Sequence, residues 1–168
     1  SNLFFSEYKI PYGFPDFWIQ EIPAPVNVYP TFHTPIIHPR QIEDFSPRFV
    51  QTYKEAQYSE ELGFMEICGM GYRKALEILI KDFAIKMHPD AKLSIEKSTL
   101  NDCIKKYIDN PDARILALAS KNIGNDMTHY VKKHQNYTVE DMKTFIQLAE
   151  SFINNKLEVL KAEALISS

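Results

Sequence analysis

At 168 residues and 19.5 kDa the chain has room for one compact domain, or one domain with an appendage, but not for a barrel enzyme with a separate cofactor domain. With 45% hydrophobic and 24% charged residues it can bury a sizeable core without metal or disulfide support, which excludes a disordered or collagen-like chain. Nineteen Lys and Arg against 22 Asp and Glu leave a formal charge of −3. No whole-protein positive field therefore draws in nucleic acid or anionic membrane, and any such binding must rest on a local patch.

The chain begins Ser1-Asn2-Leu3-Phe4-Phe5, which reads as a tag scar followed by an aromatic-rich start cut from a longer protein. Eight of the ten prolines lie in the first 47 residues, a density that forbids a long helix because each proline lacks an N–H and restricts the residue before it. Residues 1–45 are thus expected to form an extended arm with possible short strands. Phe14, Phe17 and Trp18 are among ten of the 21 aromatic residues found there, so the arm should pack onto a bundle or a second subunit. It also carries the whole net charge of −3, leaving the remainder neutral. His33 and His38 have no Cys or carboxylate at ligand spacing, so no metal site is expected.

A helical domain is expected over 46–168. Ser46 as N-cap and Pro47 at the first helical position open a helix to about Leu62. The stretch from Phe64 to Met87 is apolar on nearly every side and marks a core helix, in which Gly69 and Gly71 signal either a break or a close helix approach. Its Arg73, Lys74, Glu77 and Lys81 are spaced for Arg73–Glu77 and Lys81–Glu77 pairs. After the stop at His88-Pro89, Ser98 or Thr99 caps a short helix with Leu100, Cys103, Ile104, Tyr107 and Ile108 on one face. Asn110-Pro111 opens a fourth helix with the stripe Leu116, Ala119, Ile123, Met127 and Tyr130 or Val131. Thr138 caps the last, with Glu140 and Asp141 in its first turn. The sum is a mainly α fold, a five-helix antiparallel bundle.

Cys68 and Cys103 fall among apolar residues, where a free thiol acts as a small hydrophobe, and no apolar run reaches the roughly 20 residues of a membrane span. The expected location is a reducing cytoplasm, with no membrane partner. No phosphate-binding glycine loop, nucleophile elbow or paired zinc cysteines appear, so neither a metal nor a small-molecule cofactor is expected.

On the fourth helix Asn122, Asn125, Asp126, His129 and Lys133 recur every three or four residues and would stack along one polar line, with Asn125 touching His129. A histidine held by such a neighbour can act as general acid or base near neutral pH; the same spacing also fits a solvated face or a polar helix contact. Lys132, Lys133 and His134 between Tyr130 and Tyr137 can meet single-stranded RNA by charge and stacking, or simply complement a helix C-terminus.

The segment from Gly71 to Asp82, with its R-x-A-L-E-like core, and Gly124-Asn125-Asp126-Met127-Thr128-His129-Tyr130 together resemble the bacterial domain of unknown function 4145 family over about residues 46–165. That family is in turn similar to the HEPN superfamily of toxin, defence and RNA-processing proteins. The resemblance implies a helical bundle that often dimerises and, in active HEPN members, a metal-independent RNase site shared across the dimer. Active members carry an arginine four to six residues before the histidine; here Gly124 stands in its place, and Lys121 or Arg73 would have to supply the charge. The leading expectation is therefore a HEPN-like accessory domain that assembles as a homodimer or with a partner protein and contacts RNA through the Lys121–Lys133 face. Arg73, Lys132, Lys133 and Tyr130 are its candidate nucleic-acid contacts. The alternative is an endoribonuclease using His129, Asn125 and Lys121. His88-Pro89-Asp90 matches the tripeptide of J-domain co-chaperones, a second alternative that lacks their basic face.

Overall fold

The computed structural model describes residues 36–167, and the remainder of the proposed arm, with His33 and the aromatic cluster around Trp18, lies outside them. The described residues form seven α-helices and no strand: α1 (Arg40–Phe45), α2 (Pro47–Glu61), α3 (Met65–Met87), α4 (Lys92–Lys97), α5 (Leu100–Tyr107), α6 (Pro111–Asp126) and α7 (Val139–Ile166). A 3₁₀ turn, Pro89–Ala91, leads from α3 into α4. None of these helices is long and apolar enough to cross a membrane.

Two helices exceed the expected five. From Arg40 to Ser46 no proline intervenes, so the argument against helix ends at Pro39, and Ile42 anchors α1 as a fully buried side chain. The short α4 buries Ile95 alone, too little for a periodic signal to register. Ser46 sits at the joint between α1 and α2 and does not cap α2 with its side chain; its hydroxyl donates instead to Asp82 on α3. The other caps are as expected: Thr99 Oγ1 accepts from the Asp102 N–H, Asn110 Oδ1 from the Ala113 N–H, and Thr138 and Asp141 form a reciprocal capping box.

The centre of the bundle is α3, with ten buried residues, among them Tyr72, Leu76, Leu79, Ile80 and Phe83. It packs against α2, α5, α6 and α7. Its glycines mark close approach rather than a break, since the helix runs unbroken through both. A Cβ on Gly71 would stand 2.8 Å from Ala56 Cβ and 3.2 Å from Ala56 Cα, and one on Gly69 would collide with Met127. The α2–α3 turn closes through Gly63 at φ 79°, a left-handed conformation that favours glycine.

Several polar groups in the core are joined in networks. His38 Nδ1 and Glu150 Oε1 are 2.9 Å apart with both side chains buried, and the His38 ring meets Phe49 and Tyr53 edge-on at 5.2 and 5.0 Å. Tyr53 continues edge-on to Tyr72 at 4.9 Å, and the Tyr72 hydroxyl donates to Glu60. Lys143 on α7 then bridges Glu60 (3.2 Å) and Glu140 (2.8 Å); these carboxylates outweigh its burial and raise its pKa. Cys68 and Cys103 are buried free thiols; burial pushes the Cys103 thiol up to about 11, so it packs as a small hydrophobe.

The Gly71 contact involves backbone on the facing helix, which cannot rotate away. Gly71→Val is expected to destabilise the fold by about 1–3 kcal/mol despite its better helix propensity, measured as a lowered urea midpoint. An unchanged midpoint would mean that α2 can shift freely away from α3.

Candidate functional site

Helix α6 ends at Asp126, a turn earlier than the apolar stripe predicts, and this reorganises the expected polar line. The buried positions are Ala113, Ala117, Ser120, Ile123, Gly124 and Asp126, so the covered face is rotated from the expected Leu116–Ala119–Ile123 stripe. Asp126 is not on a solvated face. Its carboxylate turns back and accepts from the Lys133 N–H (3.1 Å) and the His134 N–H (2.6 Å), and lies 2.9 Å from His134 Nδ1. Burial pushes this carboxyl up, but the two N–H donors and the His134 ring outweigh it and hold its pKa below the ordinary aspartate value. The loop 127–138 is folded around that carboxylate.

Residues expected on the helix after position 126 consequently lie on this loop. His129 is exposed, Tyr130 and Val131 are exposed, and so are Lys132 and Lys133. Asn125 makes no hydrogen bond to His129. Its backbone carbonyl accepts from the Thr128 N–H and hydroxyl, and its side-chain oxygen accepts from Arg73 Nε at 2.7 Å. Neither Tyr130 nor Lys132 or Lys133 occupies a helix C-terminus, so dipole complementation does not explain the lysines.

The structure does bring together Arg73, Asn125 and Lys121. Gly124 is what admits the arginine: a Cβ there would stand 2.7 Å from Arg73 Cβ, 3.0 Å from Arg73 Cγ and 2.8 Å from Met142 Cε. Arg73 therefore lies across α6 instead of pairing with Glu77, which binds Lys81 at 3.0 Å and Lys74 at 3.5 Å. One turn before Asn125, Lys121 Nζ donates to Asn101 Oδ1 on α5 at 3.1 Å. Lys105 stands one turn beyond Asn101 on the same helix face. Partial burial and then the charges of Lys105 and Arg73 push the Lys121 pKa down. Among the described residues no carboxylate pairs with Arg73, Lys105 or Lys121. Asp102, the acid nearest to Lys105 in sequence, takes the Thr99 hydroxyl at the head of α5. Three cations from three helices, two of them held by asparagine amides, line one surface.

On the neighbouring face of α6 a pocket of about 220 Å³ is lined by Ala119, Asn122, Ile123, His134, Tyr137 and Phe145. His134 was legible in the sequence only as part of a basic tripeptide; its hold by Asp126, eight residues earlier, depends on the helix ending where it does. Elsewhere, His88 closes α3 and packs on Tyr107 at 5.5 Å, with Nε2 buried, so the His88-Pro89-Asp90 tripeptide serves as a helix stop joined to the core. No three His, Cys, Asp or Glu side chains among the described residues lie close enough to hold a metal ion.

Comparison with family models, with curated proteins and with solved structures gives no match. The described residues define a mainly helical bundle built around one central helix, and the candidate site is the Arg73–Lys121 surface beside the Asp126-pinned loop.

Because the Asp126 carboxyl titrates lower in the folded chain than in the unfolded one, its stabilisation is complete above the ordinary aspartate pKa of about 3.9 and is lost as pH falls through the folded value. Asp126→Asn should lower stability at pH 7, expose the 133 and 134 amides to faster hydrogen exchange, and narrow its deficit against the parent chain as both are acidified. Equal deficits at pH 7 and pH 3 would show that the charge of Asp126 does not hold the loop.

Proposed function

We propose that this chain is a HEPN-like accessory domain, related to the bacterial domain of unknown function 4145 family, that contacts the phosphates of RNA through the surface formed by α3, α5 and α6. The observation that carries this reading is the convergence of Arg73, Lys105 and Lys121 without a carboxylate partner. Like charges held together by packing raise the energy of the free protein, and an anion relieves that cost. Arg73 brings a planar guanidinium whose remaining N–H groups can grip two phosphate oxygens, while the lysines add point charges. Lys132, Lys133 and Tyr130 on the exposed loop extend this surface with further charge and a stacking ring.

Fluorescence anisotropy with labelled single-stranded RNA tests it. Binding should weaken steeply with salt, and Arg73→Ala and Lys121→Ala should each reduce the log–log salt slope by about 0.7, the value for one contact on a single strand. Binding that ignores both substitutions would overturn the assignment of this surface. A second reading, metal-independent RNA cleavage, is favoured by one feature: Arg73 reaches Asn125 from α3 and so supplies an arginine where α6 carries Gly124. The same mixtures incubated in EDTA distinguish the two. Cleavage by the parent chain that disappears in His129→Ala makes the domain an RNase; intact RNA leaves the binding role.

Assembly with a second copy or a partner protein draws support from the N-terminal end of α3. Leu62, Phe64, Met65 and Ile67 are each about half exposed around the α2–α3 turn, an apolar cluster of the kind that marks contact surfaces. Light scattering across a concentration series should show a dimer that Ile67→Asp weakens. A strict monomer at every concentration would remove self-assembly and leave a partner protein as the remaining form of the proposal.

A further inference from the structure

The pocket beside His134 is not used by the phosphate surface, and its chemistry differs from it. At about 220 Å³ it is smaller than the roughly 300–1,000 Å³ of sites for drug-sized ligands, so it suits a single planar group. Ala119, Ile123 and Phe145 give it apolar walls, and Tyr137, half exposed, adds an aromatic ring at the edge. Two polar side chains share the lining. Asn122 has no hydrogen-bond partner among the described residues, so its amide presents both a donor and an acceptor. His134 is held at Nδ1 by the Asp126 carboxylate, which fixes the ring and leaves Nε2 for a ligand. The Asp126 carboxylate is itself buried and bound by two backbone N–H groups, so the ring is anchored to the helix end rather than to a free side chain.

The geometry points to a subsite for one unstacked nucleobase, with apolar and aromatic walls for its faces and Asn122 and His134 for its hydrogen-bonding edge. Rings carrying donors and acceptors on one edge and π faces on both sides fit such a lining, whether they arrive as a free nucleoside or as a splayed base of single-stranded RNA. Asn122 lies on α6 next to Lys121, so a base here and its phosphate on the cationic surface would use adjoining faces of one helix. This inference rests on the RNA-binding reading for its biological source, but the pocket can be tested without it.

The test is an NMR titration of the intact chain, following the ring signals of His134, Tyr137 and Phe145. Adenosine, cytidine and uridine, which carry no phosphate, should shift these signals saturably. Asn122→Ala and Tyr137→Ala should each weaken the binding by about tenfold. Asn122→Ala keeps the test independent of loop folding, because Asn122 takes no part in the Asp126 bonds. Ribose 5-phosphate and abasic single-stranded RNA should leave the His134 signals in place. Nucleosides that bind identify a free small ligand as sufficient; shifts only with base-bearing RNA identify the polymer as the source. The subsite is overturned if neither nucleosides nor RNA move these signals, or if the base-free compounds move them as far. Base-bearing RNA that still binds in an Arg73-dependent way while the pocket signals stay fixed would sink the subsite and leave the phosphate surface standing.

Discussion

How closely α2 and α6 can approach α3 governs the rest of this bundle. A helix apolar around most of its circumference cannot be satisfied by one neighbour, so α3 has to be surrounded. Two of its own residues, Gly69 and Gly71, remove the side chains that would hold α6 and α2 away, and Gly124 does the same from the α6 side. Antiparallel register follows from these contacts: Ser46 meets Asp82, Ala56 meets Gly71, and Tyr72 reaches Glu60 as α2 descends beside α3. The approach at Gly124 has a chemical result, because the space it leaves is filled by the stem of Arg73. A packing device and the placing of Arg73 against Asn125 are thus one feature.

The second decision is made at the end of α6. A helix that continued to Tyr130 would have kept Asn125 and His129 on adjacent turns and the lysines on its own face. Asp126 ends it by offering a carboxylate to the N–H groups of Lys133 and His134, so the chain turns around a buried charge. Buried carboxylates survive only where donors replace lost water, and here three protein groups supply them. The consequence is a division of labour between histidines: His129 is released to solvent, while His134 is fixed at the lip of a pocket.

Much of the fold was legible because its signals are local. Ser98 or Thr99, Asn110 and Thr138 could be read as caps from the residues that follow them, and the stretch from Phe64 to Met87, apolar on nearly every side, as a buried helix. The two missing helices have different causes: α4 is too short to show a period, and α1 begins as soon as the prolines stop. The site was less legible because its contacts are long range. Arg73 and Asn125 are 52 positions apart, and His38 and Glu150 are 112 apart, so neither pairing leaves a trace in spacing. Local spacing pairs Arg73 with Glu77, and the lysines on either side take that carboxylate instead.

That displacement explains how a helical domain with balanced charge can carry a cationic surface. Beyond the arm, positive and negative residues cancel in number but not in place. Glu77 is occupied by Lys74 and Lys81, Glu60 and Glu140 by Lys143, Asp126 by the 133–134 loop, and Glu150 by His38. Each of these carboxylates is held where it fastens one element to another or to its own helix. Among the cations of the described residues that pair with no carboxylate, Arg73, Lys105 and Lys121 stand on α3, α5 and α6, and amides rather than acids hold two of them. An amide fixes the direction of a cation without neutralising it, so the surface keeps its charge. Local positive potential here is a product of how the acids are spent in building the bundle, and total charge carries no information about it.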